Sequence, residues 1–213
     1  MILSLLFPPK CVLCRKVLSA KETDLCNDCR RDIPEFSFPK NHIPFVEGWS
    51  AVWYYKDVRQ SLFRYKFRNV RSYADVYARQ LAFKLMARRE TYDYITWVPV
   101  SFRRRLKRGY DQVYLLAKAL SREMGIPLVS TLKKKRHNVA QSTIHDDSQR
   151  RANVLGAYRI NPKADIAGKQ ILLLDDIITT GATCSECART LLTAGAKKIY
   201  CAAIAGTDHS TKK

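Results

Sequence analysis

The sequence predicts an α/β protein in which a mostly parallel sheet follows a small four-cysteine metal-binding ribbon. Three observations predict it. Apolar runs of strand length alternate with stretches of helical spacing, the pattern of a parallel sheet with right-handed crossovers. One such run, Ile171–Leu174, leads straight into Asp175-Asp176 and a turn of small residues. Two CxxC pairs, Cys11 with Cys14 and Cys26 with Cys29, stand near the N-terminus.

The elements follow in order. Alternation in GWSAVWYY predicts a strand near 48–55, and residues 58–89 carry helical spacing through Leu62, Tyr65 and Phe67, then Tyr73, Val76, Tyr77, Leu81 and Leu85. YDYITWVPV, 92–100, reads as a buried strand. A helix is expected over 110–124, with Val113, Leu116, Ala117 and Leu120 on one face and Gly125 as its stop. Short strands are expected at 126–132 and 155–160, a continuous apolar strand at 169–176, a helix at 184–194 ending on Gly195, and a last strand at 197–205. Pro34, Pro39 and Pro44 mark the composition shift that divides a ribbon, 1–44, from an α/β domain, 45–213. The 213 residues, 46% of them hydrophobic, suffice for both. Met1–Phe7 is apolar but runs into Pro8-Pro9, so a short packed helix is expected there. No stretch approaches the roughly 18 apolar residues of a membrane span.

Ligand sites in parallel sheets lie at the carboxyl ends of strands, which singles out Val98–Ser101, Asp175–Thr183 and the end of the last strand. In the second of these, paired carboxylates follow a buried strand, a costly arrangement unless cations or hydroxyl donors meet them. Thr179, Thr180, Gly181, Ala182 and Thr183 then open a helix. Gly181 permits a tight turn, small side chains let backbone N–H groups converge on an anion, and the helix dipole adds positive potential. Acid pair and anion nest together suit a phosphorylated sugar, its hydroxyls on the carboxylates and its phosphate in the nest. Asp176 is the candidate proton acceptor.

The N-terminal cysteines, two knuckles eleven residues apart, fit a closed tetrahedral Zn²⁺ site on Cys11, Cys14, Cys26 and Cys29. Two disulfides or free thiols are the alternatives. The odd total of seven cysteines argues against a secreted disulfide framework and favours a reducing cytoplasm. Cys184 and Cys187 share a helix face, and with Cys201 they read first as small core residues, with redox sensing or metal binding as the other use of the pair.

Lys and Arg number 38 against 19 Asp and Glu, a formal charge of +19. Between Pro99 and Arg151 there are 13 basic and 4 acidic residues, gathered in RRRLKR and KKKR. Such a surplus implies polyanionic ligands, although a solvated basic face is the plain alternative. Arg103, Arg104, Arg105, Lys107 and Arg108 fall at the ligand end of the sheet, where pyrophosphate or a DNA backbone would be met. Tyr110 and Tyr114 offer stacking surfaces beside them, although ordinary helix packing is the plainer reading of Tyr114.

The string ILLLDDIITTGAT resembles the 5-phosphoribosyl-1-pyrophosphate (PRPP) signature of type I phosphoribosyltransferases. The resemblance implies that Asp175 and Asp176 hold the ribose hydroxyls, Thr179 to Thr183 the 5-phosphate, and a Mg²⁺ ion the hydroxyls and pyrophosphate together. Pyrophosphate would meet the loop Val100-Ser101-Phe102-Arg103. MILSLLFPPKCVLC, the knuckle pair, VPVSFRRRLKRGYDQ, QRRANVLGAY and DDIITTGAT together resemble the competence protein ComF family. Arg108, Gly109, Tyr110 and Gln112 match its R-G-F/Y-N-Q string, Asp111 departs from it, and Asn138 stands where a Thr usually precedes Gln141. Membership implies a cytoplasmic role in DNA uptake for natural transformation, with single-stranded DNA and a helicase-like ATPase as partners. Two other readings stay open: a biosynthetic transferase in which an acceptor nitrogen attacks the ribosyl C1, and a non-catalytic nucleic-acid-binding or assembly protein.

Overall fold

The computed structural model describes residues 8–37, 42–135 and 147–207. Met1–Phe7, Arg136, Asn138 and Gln141 lie outside them. A short helix, α1 (Asn27–Asp32), closes the cysteine ribbon. The α/β body then runs β1 (Gly48–Tyr54), α2 (Tyr55–Phe67), α3 (Tyr73–Met86), β2 (Tyr94–Trp97), α4 (Phe102–Arg108), α5 (Gln112–Met124), β3 (Leu132–Lys134), α6 (Asp147–Val154), β4 (Tyr158–Ile160), β5 (Gln170–Ile178), α7 (Ala182–Thr193) and β6 (Lys198–Gly206).

The main sheet has the order β1-β6-β5-β2 with every pairing parallel. The two central strands are β5 and β6, and their unbroken apolar runs are what burial on both faces demands. β3 and β4 form a separate antiparallel pair. Alternation along β5 divides the core in two. Leu172 and Leu174 pack with α2, α3 and α5, while Ile171 and Leu173 pack with α7 and the β3–β4 pair.

Several departures from the sequence reading have local causes. The helical stretch 58–89 is two helices, because Asn69 takes a left-handed conformation (φ 56°) between them. The expected strand at 126–132 is a single bridge, Leu128 to Ile95, followed by β3. RRRLKR forms α4 rather than a loop, and Gly109 (φ 77°) ends it. β5 continues through the acid pair to Ile178, so both aspartates are strand residues. Asp111 caps α5, accepting from the N–H groups of Val113 and Tyr114 at 3.0 Å each, a role that Asn also fills.

The ribbon does not hang from the body. Val12, Leu13, Leu18 and Leu25 are buried in the same core as α2, α3 and α5. The α2 helix makes the polar joints: Ser61 Oγ donates to the Val12 carbonyl at 2.5 Å, and Arg64 Nη2 reaches the Val12 and Leu13 carbonyls at 3.1 and 2.5 Å. Arg79 of α3 pairs with Asp24 at 2.5 Å.

Ser61 also takes the Tyr77 hydroxyl at 2.6 Å in a fully buried contact. Ser61→Ala strands the buried Tyr77 hydroxyl and leaves the Val12 carbonyl to Arg64 alone, so it should cost about 1–3 kcal/mol. Urea denaturation measures this as a lower midpoint at unchanged slope; an unshifted midpoint would mean water replaces the hydroxyl.

Candidate ligand cleft and metal centre

The carboxyl ends of β2 and β5 open into a cleft of about 590 Å³. Asp175 and Asp176 lie on its lining with Thr179, Thr180, Gly181, Ala182 and Thr183, as the sequence anticipated. Because neighbours on a strand face opposite ways, the two carboxylates meet different environments. Asp176 lies on the α5 side, where Lys66 Nζ stands 2.9 Å from Oδ1 and Gln112 Nε2 donates to Oδ2 at 2.7 Å. Burial drives its carboxyl upward, but Lys66, Gln112 and Arg108 outweigh that and hold it below the usual carboxylate range. Asp175 accepts its neighbour's backbone N–H at 2.8 Å. Loss of solvent, then the Asp176 charge, push it well above the usual range. The pair therefore carries one firm negative charge and one carboxyl with a high proton affinity.

The turn after β5 is built for close approach. Gly181 has φ 74°, and a Cβ there would lie 2.6 Å from Ile43, which comes from the segment joining ribbon to body. The twelve residues of α7 follow, and Ala182, Thr183 and Cys184 put the N-terminus of that helix, with its positive dipole, on the cleft's lining.

Of the five residues expected around a pyrophosphate, the structure brings two to the cleft. Arg104 and Arg108, one helical turn apart on α4, line it. Ser101 is buried at the N-cap of α4. Arg103 and Arg105 are exposed on other faces, with the Arg105 guanidinium 5.7 Å over the exposed Phe102 ring. The expected stacking surfaces are engaged elsewhere. Tyr110 is buried and donates to the Tyr65 carbonyl, and Tyr114 packs on Trp97 at 5.0 Å. Cys184, Cys187 and Cys201 are buried core residues.

Sequence reasoning missed Lys66, Lys134 and Tyr158 as cleft residues. Lys66 stands in an amphipathic helix with no local signal. Lys134 was hidden in KKKR, where strand alternation turns it inward and leaves Lys133 and Lys135 exposed. Gln112 was visible only as part of the R-G-Y-D-Q string.

In the ribbon, the Sγ atoms of Cys11, Cys14, Cys26 and Cys29 lie within 4.8 Å of one another, with Cys14 and Cys26 at 3.6 Å. A Zn–S length near 2.3 Å puts thiolates about 3.8 Å apart at tetrahedral geometry, so the cluster fits zinc. With four protein thiolates and no open position, its role is structural.

The phosphoribosyl transferase domain family is matched over residues 113–213 and the double zinc ribbon domain over residues 2–40. Competence protein F of Haemophilus influenzae is 26% identical over 215 residues, covering 89% of this chain and 93% of its own. DNA utilization protein YhgH of Escherichia coli K12 is 25% identical, covering 90% and 94%. Along most of its length the chain is therefore similar to competence protein F and to the DNA utilization proteins. Competence protein ComFC of Bacillus subtilis is 33% identical over a shorter span, 46% of this chain and 38% of its own. Among solved structures, a glutamine PRPP amidotransferase from B. subtilis overlaps 65% of this chain and 30% of its own at a TM-score of 0.45 and 21% identity. By the family models and the four-cysteine cluster, the chain joins a phosphoribosyltransferase-like domain to a structural zinc ribbon.

Purified protein should carry about one zinc per chain. Its removal under reducing conditions should lower the melting temperature of the whole chain, because ribbon side chains share the body's core. Elemental analysis without zinc, or a melt indifferent to chelation, would contradict this. The acid pair gives a second expectation. With the folded pKa of Asp175 raised, the unfolded chain binds fewer protons from about pH 4 upward, so stability falls as pH rises through that window. Asp175→Asn removes the effect, and its stability advantage over the parent should grow between about pH 5 and about pH 8.5 in urea titrations. A constant difference would show that Asp175 is not raised.

Proposed function

We propose that this protein binds PRPP in the cleft and serves DNA uptake, handling single-stranded DNA in the cytoplasm. The observation that carries the first half is the convergence of Asp175-Asp176, the α7 N-terminus behind Gly181, and Arg104 with Arg108 on one cavity. In this reading the ribose hydroxyls meet Asp175 and Asp176. The 5-phosphate is held by the N–H groups and hydroxyls of residues 179–183, and the pyrophosphate faces the two arginines. Lys66 and Gln112 fix Asp176 as an ionised acceptor of a hydroxyl proton, while Asp175 holds or releases a proton as ligand charge arrives. A Mg²⁺ ion entering with PRPP would supply charge neutralisation between pyrophosphate and carboxylates, as a hard cation bound chiefly through substrate oxygens.

The second half rests on the printed names of the relatives, competence and DNA utilization proteins, and on the surface beside the cleft. No helix among the described residues is long and apolar enough to cross a membrane. α4 carries five basic residues and no acidic one. Around it lie the exposed rings of Phe63, Phe67 and Phe102, each with a guanidinium over it: Arg68, Arg108 and Arg105. Charged ridges interleaved with aromatic faces suit a single strand, phosphates on the cations and bases on the rings. A helicase-like ATPase of the uptake machinery is the expected protein partner.

PRPP with Mg²⁺ should raise the melting temperature, since a ligand of the folded state stabilises it. Asp175→Asn with Asp176→Asn should abolish the shift and still melt cooperatively; retained binding would refute the site. On the DNA side the arginines separate cleanly. Arg103→Glu with Arg105→Glu lies outside the cleft, so it should weaken single-stranded DNA binding and flatten its salt dependence, each lost phosphate contact removing about 0.7 from the log–log slope. PRPP binding should be unchanged in that variant. Loss of PRPP binding with DNA binding intact would reverse the assignment.

A further inference from the structure

The cleft has an end that the proposed PRPP contacts do not use. It is formed by the β3–β4 pair, where Lys134 and Tyr158 sit opposite each other in register. Lys134 Nζ donates to the Tyr158 hydroxyl at 3.1 Å and lies 4.9 Å from the centre of that ring. Tyr158 is buried and Lys134 half-buried, and both line the cavity with Arg104 of α4. Among the described residues, no carboxylate lies within salt-bridge distance of Lys134. Asp175, whose charge acts on Lys134 from beyond that distance, is held largely protonated by its burial, and two other buried charges nearby are already paired. Lys66 is taken by Asp176 at 2.9 Å, and Glu186 of α7 is taken by Arg189 at 2.8 Å and by the Gly156 N–H at 2.8 Å. Val98, Pro99, Val100 and Val154 complete this end with apolar surface.

We propose that Lys134 and Tyr158 form an anion subsite, bordering the pyrophosphate contact at Arg104, for a second ligand that lies beside PRPP: a small acid whose carboxylate or phosphate meets the ammonium and whose body packs on the valines. A cation withdrawn from water without a counter-charge is costly, and an anionic ligand is what returns that cost as affinity. The electrostatics agree with the geometry. Burial, then the Arg104 charge, lower Lys134 to about 8, so it remains largely cationic at neutral pH while retaining little solvation. The hydroxyl of Tyr158 holds the ammonium against the ring and keeps it aimed. If the chain transfers a ribosyl phosphate, this subsite selects an acid as its acceptor.

This inference rests on PRPP occupying the rest of the cleft, and the experiment separates the two. Full-length protein is melted and titrated with saturating PRPP and Mg²⁺, then challenged with matched pairs, nicotinate against nicotinamide and orotate against uracil, and with phenyl phosphate as the phosphate arm. The acids should bind at least about tenfold more tightly than their neutral partners, the scale of one charge-assisted hydrogen bond. Whether carboxylates or phenyl phosphate show the larger effect identifies the source of the anion. Lys134→Met should erase the preference and Lys134→Arg should restore it. Tyr158→Phe, which leaves the ring in the core, should reduce it and stands in if the lysine variant fails to fold. Equal binding of acids and neutrals to PRPP-loaded protein overturns the subsite while leaving the PRPP reading intact. Loss of PRPP or inorganic pyrophosphate binding in Lys134→Met, without any acid preference in the parent, overturns it too, by giving Lys134 to the pyrophosphate. No PRPP shift in the parent at all overturns the underlying reading, and the subsite falls with it.

Discussion

The ammonium of Lys66 decides how the acid pair divides its charge. Two carboxylates on adjacent residues of a buried strand cannot both ionise cheaply without a cation. Lys66 stands 2.9 Å from Asp176, and the Gln112 amide secures the other oxygen. Asp175, without such partners, is left to absorb both the desolvation and its neighbour's field. Remove Lys66, and the asymmetry between the carboxylates would shrink. The same contact fixes the end of α2 over the cleft, so geometry and electrostatics depend on one side chain.

That helix is held from its other side by the ribbon. Ser61 and Arg64, on α2 one to two turns before its end, are bonded to carbonyls of Val12 and Leu13, beside the first metal ligands. Tyr65 donates to the Gln112 carbonyl at 2.5 Å, tying α2 to the helix that supplies the amide on Asp176. The metal centre is thus three short steps from the acid pair: thiolate knuckle, α2, Lys66. A ribbon that lines none of the cleft still helps to set where the Lys66 charge sits. Ile43, packed over Gly181, adds a second route from the N-terminal segment to the phosphate turn.

How much of this was legible in the sequence depends on whether the information was local. The continuous ILLL run, the acid pair, Gly181 and the two CxxC pairs each carry their meaning within a few residues, and the structure puts them where expected. The same holds for Gly125 at the end of α5. What failed was either a matter of phase or a matter of tertiary contact. RRRLKR looked like a loop because a run of charge has no apolar periodicity, and only its helical form shows that Arg104 and Arg108 turn inward while Arg103 and Arg105 turn out. KKKR likewise hid an inward Lys134 behind the alternation of a three-residue strand. Lys66 and Asp176 are far apart in sequence, and no pattern around either residue announces the other. The tyrosines at 110 and 114 were read from composition alone, and packing claimed them.

The strand order has a consequence for how the chain comes to its folded state. β1 and β2, made early, never touch each other; the places between them belong to β6 and β5, the last two strands. During synthesis the first half of the chain can collapse around its zinc and its helices, but it has no sheet to complete. Contacts of such long sequence separation are slow to form and leave strand edges uncovered while they wait. A nascent chain would therefore present β1, with its Trp49 and Trp53, to whatever is nearby until residues 170–206 leave the ribosome. Early metal capture by Cys11, Cys14, Cys26 and Cys29 gives that waiting half a fixed point, and chains translated in zinc-starved cells would be lost to aggregation before the cleft ever existed.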